Sequence, residues 1–213
     1  MRIYAVADIH GKPRHIETLF SVIDQYRPDI MVAAGDLTGL FNWHTCLNQL
    51  DSLSVPVLAI RGNSDLRRVS RKIDQALNIT GLTQKPYRVQ DFDFMGTDGT
   101  LVLPFASKIC LGETARLALF PPMGPESVLV VHPPPKGTLD RVAGRFNAGS
   151  RALDRFIRAA APGLVLCGHI HEQPGQAMLG SSMVVNCSMG KKSCGVIIDL
   201  QKGQLPGVNL LQP

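Results

Sequence analysis

The sequence predicts an α/β fold built on a parallel sheet, and three observations carry that expectation. Strand-like apolar runs alternate with helix-like stretches through the first third of the 213 residues. The run Ile30 to Ala34 is continuously apolar, as in strands buried on both faces. Five such runs end in short polar motifs: Asp8-Ile9-His10, Gly35-Asp36, Arg61-Gly62-Asn63-Ser64-Asp65, His132-Pro133-Pro134 and Gly168-His169-Ile170-His171. The carboxyl ends of parallel strands face one crevice, where ligands bind. The motifs are therefore expected to converge.

A strand over Arg2 to Ala7 opens the pattern. Pro13 suits the first turn of a helix through about Arg27, with Ile16, Leu19, Phe20 and Ile23 at 3–4 spacing. Pro28-Asp29 breaks that helix before the Ile30 strand. A second helix is expected over Trp43 to Leu53, with Trp43, Leu47 and Leu50 inward, and a third strand over Val55 to Ile60. Tyr87 to Gln90 and Phe92 to Met95 alternate about Asp91 and read as antiparallel strands starting a second sheet. Thr100 to Met123 is ambiguous, with a short helix over Glu113 to Phe120 one reading and a lid or interface element another. Ser127 to Val131 resumes the strand pattern, a Pro/Gly-rich loop runs from His132 to Gly149, and a helix covers Ser150 to Ala160. Leu164 to Cys167 is another strand; Met183 to Asn186 and Val196 to Asp199 read as closing antiparallel strands. No repeat, low-complexity tract or linker divides the chain, so residues 1–213 are expected to form a single domain.

Composition sets the outer limits. Hydrophobic residues make up 45% and charged residues 18%, as in a globular protein with a sizeable core. No segment approaches the roughly 20 unbroken apolar residues needed to span a bilayer. With no leader-like start, the expected location is cytoplasmic. The five cysteines form no C-x-x-C pair and read as buried thiols in a reducing compartment. Cys167 lies two residues before His169, yet as the last residue of an apolar run it is expected to face the core. Net charge is +5, but the densest basic cluster, Arg67, Arg68, Arg71 and Lys72, has the spacing of a solvated helix face. That disfavours nucleic acid as a partner; no membrane partner is expected, and a homo-oligomer is left open.

The motif residues specify the chemistry. In regular β geometry Asp8 and His10 would project the same way and reach one ion; His169 and His171 repeat the spacing. Gly35 and Gly168 permit close backbone approach. Asp36 falls between the halves as a natural bridging ligand. Asn63 can ligate through its amide oxygen, which suits mixed N/O sites. Each motif alone is weak, but four of the six histidines fall within the set. The remaining pair, His15 and His44, read as surface or capping residues. Competing signatures fail: Met189-Gly190-Lys191-Lys192-Ser193 lacks the phosphate-loop spacing, and neither G-x-G-x-x-G after the first strand nor G-x-S-x-G occurs.

In this order and over nearly the whole chain, the five motifs resemble the signature of calcineurin-like metallophosphoesterases. His132 to Asp140 with Gly168 to Glu172 is most similar to the small single-domain microbial phosphodiesterase-like branch. The resemblance implies a four-layer α/β/β/α sandwich of two mixed sheets flanked by helices. It also implies two divalent metal ions at the sheet ends: Asp8, His10 and His171 on the first, Asn63, His132 and His169 on the second, Asp36 bridging. Mn²⁺ is favoured among Mn²⁺, Fe²⁺/Fe³⁺, Zn²⁺ and Ni²⁺. The implied activity is that of a dinuclear phosphoesterase, with a metal-bridging hydroxide as nucleophile. Asp36, Asn63, Ser64 and His132 are the implied catalytic positions.

Two departures qualify the resemblance. Many family members carry a histidine after the Gly-Asn pair, where this chain has Ser64, a poor general acid near neutral pH. No arginine closely follows Asp36, which argues against strong phosphomonoester recognition; Arg61 is the candidate substitute. Asp65 is expected to hydrogen-bond a ligand histidine. The expectation is a phosphodiesterase on small nucleotide-like or other diesters. The alternatives are a catalytically silent binding or scaffold protein of the same fold and a nuclease.

Overall fold

The computed structural model describes residues 1–83, 86–98 and 113–213. In chain order the elements are β1 (Arg2–Val6), α1 (Pro13–Tyr26), β2 (Ile30–Ala34), α2 (Trp43–Asp51), β3 (Val57–Ile60), α3 (Arg67–Ile73) and β4 (Ile79–Gly81). Next come β5 (Tyr87–Val89), β6 (Phe92–Gly96), α4 (Glu113–Leu117), β7 (Ser127–Val130), β8 (Arg141–Val142), β9 (Phe146–Asn147) and α5 (Arg151–Ala160). The chain closes with β10 (Leu164–Cys167), β11 (Gly175–Leu179), β12 (Ser182–Asn186), β13 (Val196–Asp199) and β14 (Gly207–Leu210).

Two six-stranded mixed sheets result, in the orders β14-β13-β1-β2-β3-β4 and β11-β12-β10-β7-β6-β5. Strands β1 to β4 are mutually parallel, as are β6, β7, β10 and β12. The period-2 alternation of side chains builds the layers. Ile3, Ala5, Val32 and Leu58 from the first sheet meet Phe94, Val128, Leu166 and Val185 from the second in one buried cluster. On the outer face of the first sheet, Tyr4, Val6 and Met31 pack under α1, α2 and α3 through Leu19, Leu47 and Val69. On the outer face of the second, Leu129 and Val165 pack under α4 and α5 through Leu117, Leu153 and Ile157. This is the expected α/β/β/α sandwich.

Local signals explain the helix ends. α1 begins at Pro13 and stops at Arg27, which turns left-handed (φ 47°) while its N–H bonds Ile23 O at 2.9 Å. Its buried stripe is Ile16, Leu19, Val22 and Ile23; Leu19→Ala at this fully buried position costs about 2–5 kcal/mol. α5 starts one residue after the expected boundary because Ser150 caps it, its Oγ accepting from Leu153 N at 3.1 Å.

Several expectations need correction. β12 is parallel to β10 and antiparallel only to β11. Strands β4, β11 and β14 were not expected; β11 and β14 are sheet edges whose half-exposed alternation mixes Gly, Gln and Asn with apolar residues. The loop after His132 contains the β8–β9 hairpin. α4 is shorter than the expected Glu113 to Phe120 helix, and the ambiguous segment up to residue 112 lies outside the described residues. No described helix is long and apolar enough to cross a membrane.

Candidate metal centre

The strands β1, β2 and β3 of the first sheet and β7 and β10 of the second end at the same side of the sandwich, where the two sheets are stitched together. Ala7 continues β1 into the tail of β12, donating to Cys187 O at 3.0 Å and accepting from Met189 N at 2.9 Å. His132, just past β7, pairs its Nδ1 with Ala34 O of β2 at 2.9 Å. Backbone carbonyl capture of Nδ1 leaves Nε2 as the atom facing the crevice.

Two groups of candidate ligand atoms lie within 4.8 Å of one another: Asp8, His10 and His171, and Asp8, Asp36 and His132. Asp8 Oδ1 is 3.2 Å from His171 Nε2, 3.8 Å from His10 Nε2 and 3.9 Å from His132 Nε2. Asp36 Oδ2 is 3.5 Å from His132 Nε2 and 3.8 Å from His10 Nε2. His169 falls in neither group; its ring stands edge-on to His132 at 5.1 Å, and its N–H donates to Asp8 Oδ2 at 2.9 Å. Asn63 sits between Gly62 and Ser64, and Ser64 donates to Asp36 from both backbone N–H and hydroxyl, each at 2.8 Å.

Buried polar atoms test whether this place fits a cation. Asp8 Oδ1, Asn63 Oδ1 and His132 Nε2 are buried without a hydrogen-bond partner. Leaving such atoms unpaired costs about 1–3 kcal/mol each, so three on these neighbouring loops call for a shared electrophile. Carboxylate oxygen, amide oxygen and imidazole nitrogen form the donor set of borderline divalent ions. The residues fit such a group.

The electrostatics match that need. Burial alone would raise the Asp8 and Asp36 carboxyls, but the neighbouring imidazoles and serine donors hold both below the ordinary range. For Asp8 these are His171, His132 and Ser188; for Asp36 they are His132 and Ser64. Burial would lower His132, yet Asp36 and Asp8 outweigh it and push the imidazole up to about 9. His171 is raised by the Asp8 carboxylate 3.2 Å away, whereas burial lowers His10 and His169. Two carboxylates confined here demand positive charge.

The backbone route to this geometry differs from the expected one. Asp8 (φ 60°), His10 (φ 51°), Asp36 (φ 52°) and His169 (φ 70°) all adopt left-handed backbone rather than regular β geometry. Asp and His tolerate that region better than branched residues. The chain thus kinks at the first candidate ligand after β1, β2 and β10, whereas Asn63 after β3 and His132 after β7 are reached without a left-handed residue. Gly35 (φ 94°) must be glycine, since a Cβ would lie 2.6 Å from His132 Nδ1. At Gly62 a Cβ would overlap the Asp36 carboxylate.

Asp65 does not hold a histidine. It accepts from Leu37 N, Thr38 N, Thr38 Oγ and Gly62 N at 2.9–3.0 Å, binding the loop after Asp36 to the loop carrying Asn63. Arg61 is engaged by Asp98, with Nε and Nη2 on Oδ2 at 2.9 and 2.6 Å. Cys167 is fully buried under the second sheet, as expected. His44 is exposed, while His15 is half-buried with Nδ1 on Ile9 O at 3.1 Å, steadying the loop between Asp8 and His10. Sequence reasoning missed Asn186 and Ser188. Asn186 donates to Ile170 O at 2.8 Å and accepts from Ser188 Oγ at 2.7 Å, fixing the turn between His169 and His171. Their place just past the apolar run of β12 was the available signal.

Comparison with known proteins bears on the fold and the family. A Methanocaldococcus jannaschii protein of uncharacterised function is 26% identical over 201 residues, covering 88% of each chain. Among solved structures, a dimetal phosphatase from Danio rerio has the same fold, with a TM-score of 0.64 and 13% identity over 100% of this chain and 96% of that one. An archaeal phosphodiesterase gives a TM-score of 0.55 and 14% identity over 99% and 100% of the respective chains. Residues 1–173, which carry all five motifs, match the model of the calcineurin-like phosphoesterases, and the chain belongs to that family.

Proposed function

We propose that this protein is a dinuclear metal-dependent phosphodiesterase acting on small diesters, with Mn²⁺ the favoured ion. One observation carries the reading: the buried, partnerless Asp8 Oδ1, Asn63 Oδ1 and His132 Nε2 stand among three further imidazoles and a second carboxylate. When bound, a pair of divalent ions acidifies water and neutralises charge on the phosphoryl oxygens. The chain's own residues set the rest. Asp8, His10 and His171 would hold one ion and Asn63, His132 and His169 the other, with Asp36 available to both.

The structural neighbours bear names on both sides of the monoester–diester divide, so the residues have to favour one. Ser64 spends its hydroxyl on Asp36 at 2.8 Å and offers no proton of useful acidity to a leaving group. Arg61 turns its Nε and Nη2 to Asp98, so that edge of the guanidinium is not given over to the reacting phosphate as a dianion. Both features favour a singly charged diester with a good leaving group.

The test is metal analysis of purified protein with bis(p-nitrophenyl) phosphate hydrolysis in added Mn²⁺. About two ions per chain and turnover lost to a chelator are expected. Bound metal without hydrolysis of any phosphoester would favour the scaffold reading, and turnover of single-stranded DNA above small diesters the nuclease.

A further inference from the structure

We infer that a cleft beside the metal centre is a binding site for a nucleoside-sized substituent of the diester that ends in a second anionic group. The inference rests on the proposed phosphodiesterase reading and specifies its substrate class. The cleft holds about 650 Å³ and is lined by Arg61, Thr83, Thr97, Asp98, Arg116 and Phe120, among others. That volume lies within the range of sites for compact organic ligands, about 300–1,000 Å³.

Its position ties it to the reacting phosphate. Arg61 directly follows β3 and lies two residues before Asn63. Pro133, the residue after His132, lines the adjoining inner recess with Thr97, Asp98 and Arg116. The cleft and its recess therefore adjoin the loops that carry Asn63 and His132.

Its chemistry selects the occupant. Asp98 takes Arg61 Nε, Nη2 and backbone N–H on its two oxygens, at 2.9, 2.6 and 3.0 Å, which locks the guanidinium plane. A guanidinium has five N–H donors, so the pair on Nη1, which has no partner among the described residues, is open to a ligand. Arg116 is exposed and makes no ion pair among the described residues. Two guanidiniums against one carboxylate leave the described lining one positive charge in excess. Phe120, set by its contact with Phe156 at 5.9 Å between ring centroids, supplies an aromatic wall, and Thr83 and Thr97 add polar side chains. A flat ring against Phe120 with an anion at Arg116 and Arg61 Nη1 satisfies all of these groups.

The experiment compares kcat/KM of the Mn²⁺-loaded protein for the dinucleotide ApA and its 5′-phosphorylated form pApA, with bis(p-nitrophenyl) phosphate as reference. At least about a tenfold preference for pApA, residing in KM, is expected; this corresponds to one well-placed charge-assisted contact. Arg116→Ala should bring the pApA/ApA ratio close to one, Arg116→Glu should invert it, and Arg116→Lys should keep most of it. Equal use of both dinucleotides by wild type, or a preference untouched by Arg116→Glu, overturns the cleft assignment while bis(p-nitrophenyl) phosphate turnover leaves the underlying reading standing. Absence of hydrolysis of all three diesters overturns both.

Discussion

The two sheets contribute unlike halves of one site. The first sheet supplies the oxygen donors Asp8, Asp36 and Asn63, with His10 its single imidazole, and the second supplies His132, His169 and His171. Within the first half, like charges oppose each other; within the second, His132 depresses its neighbour His169. Across the seam the pairs attract, with Asp36 and His132 at 3.5 Å and Asp8 and His171 at 3.2 Å. The centre is thus a product of sheet packing, and the Ala7 and Ala34 backbone contacts that fix the seam also fix the ligand geometry.

Removing the shared carboxylate breaks that complementarity most severely. Asp36→Asn should lower kcat/KM for bis(p-nitrophenyl) phosphate by at least about 10³-fold while the protein stays folded. Steady-state kinetics with circular dichroism measures both, and turnover near the wild-type level would remove Asp36 from its bridging role. Next in size is Asp65→Asn, which replaces an acceptor of four hydrogen bonds by an amide that turns one end into a donor. Asp65 positions only the first-sheet loops, so metal affinity should drop about 10–100-fold. Titration of the stripped protein with Mn²⁺ reads that loss, and an unchanged affinity would show that the loops hold their shape without it.

The same contrast shows what a sequence displays. The candidate ligands are visible because they follow the ends of apolar runs, and a strand's end is marked by the change in polarity. What turns them inward is not visible: nothing about Asp8, His10, Asp36 or His169 announces left-handed backbone, since each is equally at home in extended chain. Asp65 and Asn186 escaped correct reading for a related reason. Their partners are backbone N–H and C=O groups of distant loops, which leave no trace in side-chain chemistry. β11 and β14 lacked the apolar alternation of strands with a buried face, because they lie at sheet edges.

A smaller effect sharpens the account of the first-sheet half. Ser64→His places an imidazole where only a weakly acidic hydroxyl stands, at the cost of the 2.8 Å bond to Asp36. Alkyl phosphodiesters, which need a proton on departure, should gain about tenfold in kcat, below the usual 10²–10⁴ for an optimally placed acid. Aryl diesters should gain little. Equal changes for both classes would mean that leaving-group protonation does not limit the wild-type protein.

The smallest effect is the pH dependence of the metal-free protein, and its sign follows from the imidazoles. His132, raised to about 9, and His171, also raised, contribute stability fully present below the ordinary value of 6.5 and lost as pH climbs through their folded values. His10 and His169 are lowered, so the unfolded chain takes up their protons first and stability falls as pH drops below 6.5. Asp8 and Asp36, both depressed, add a further loss only below their ordinary value of 3.8. Urea midpoints of the stripped protein should therefore peak near pH 6.5 and decline on either side. Saturating Mn²⁺ should move that peak to higher pH, because ligation requires His132 without its second proton. A midpoint that stays level from pH 6 to 9 without metal would mean that the buried imidazole and the two carboxylates are not coupled across the seam.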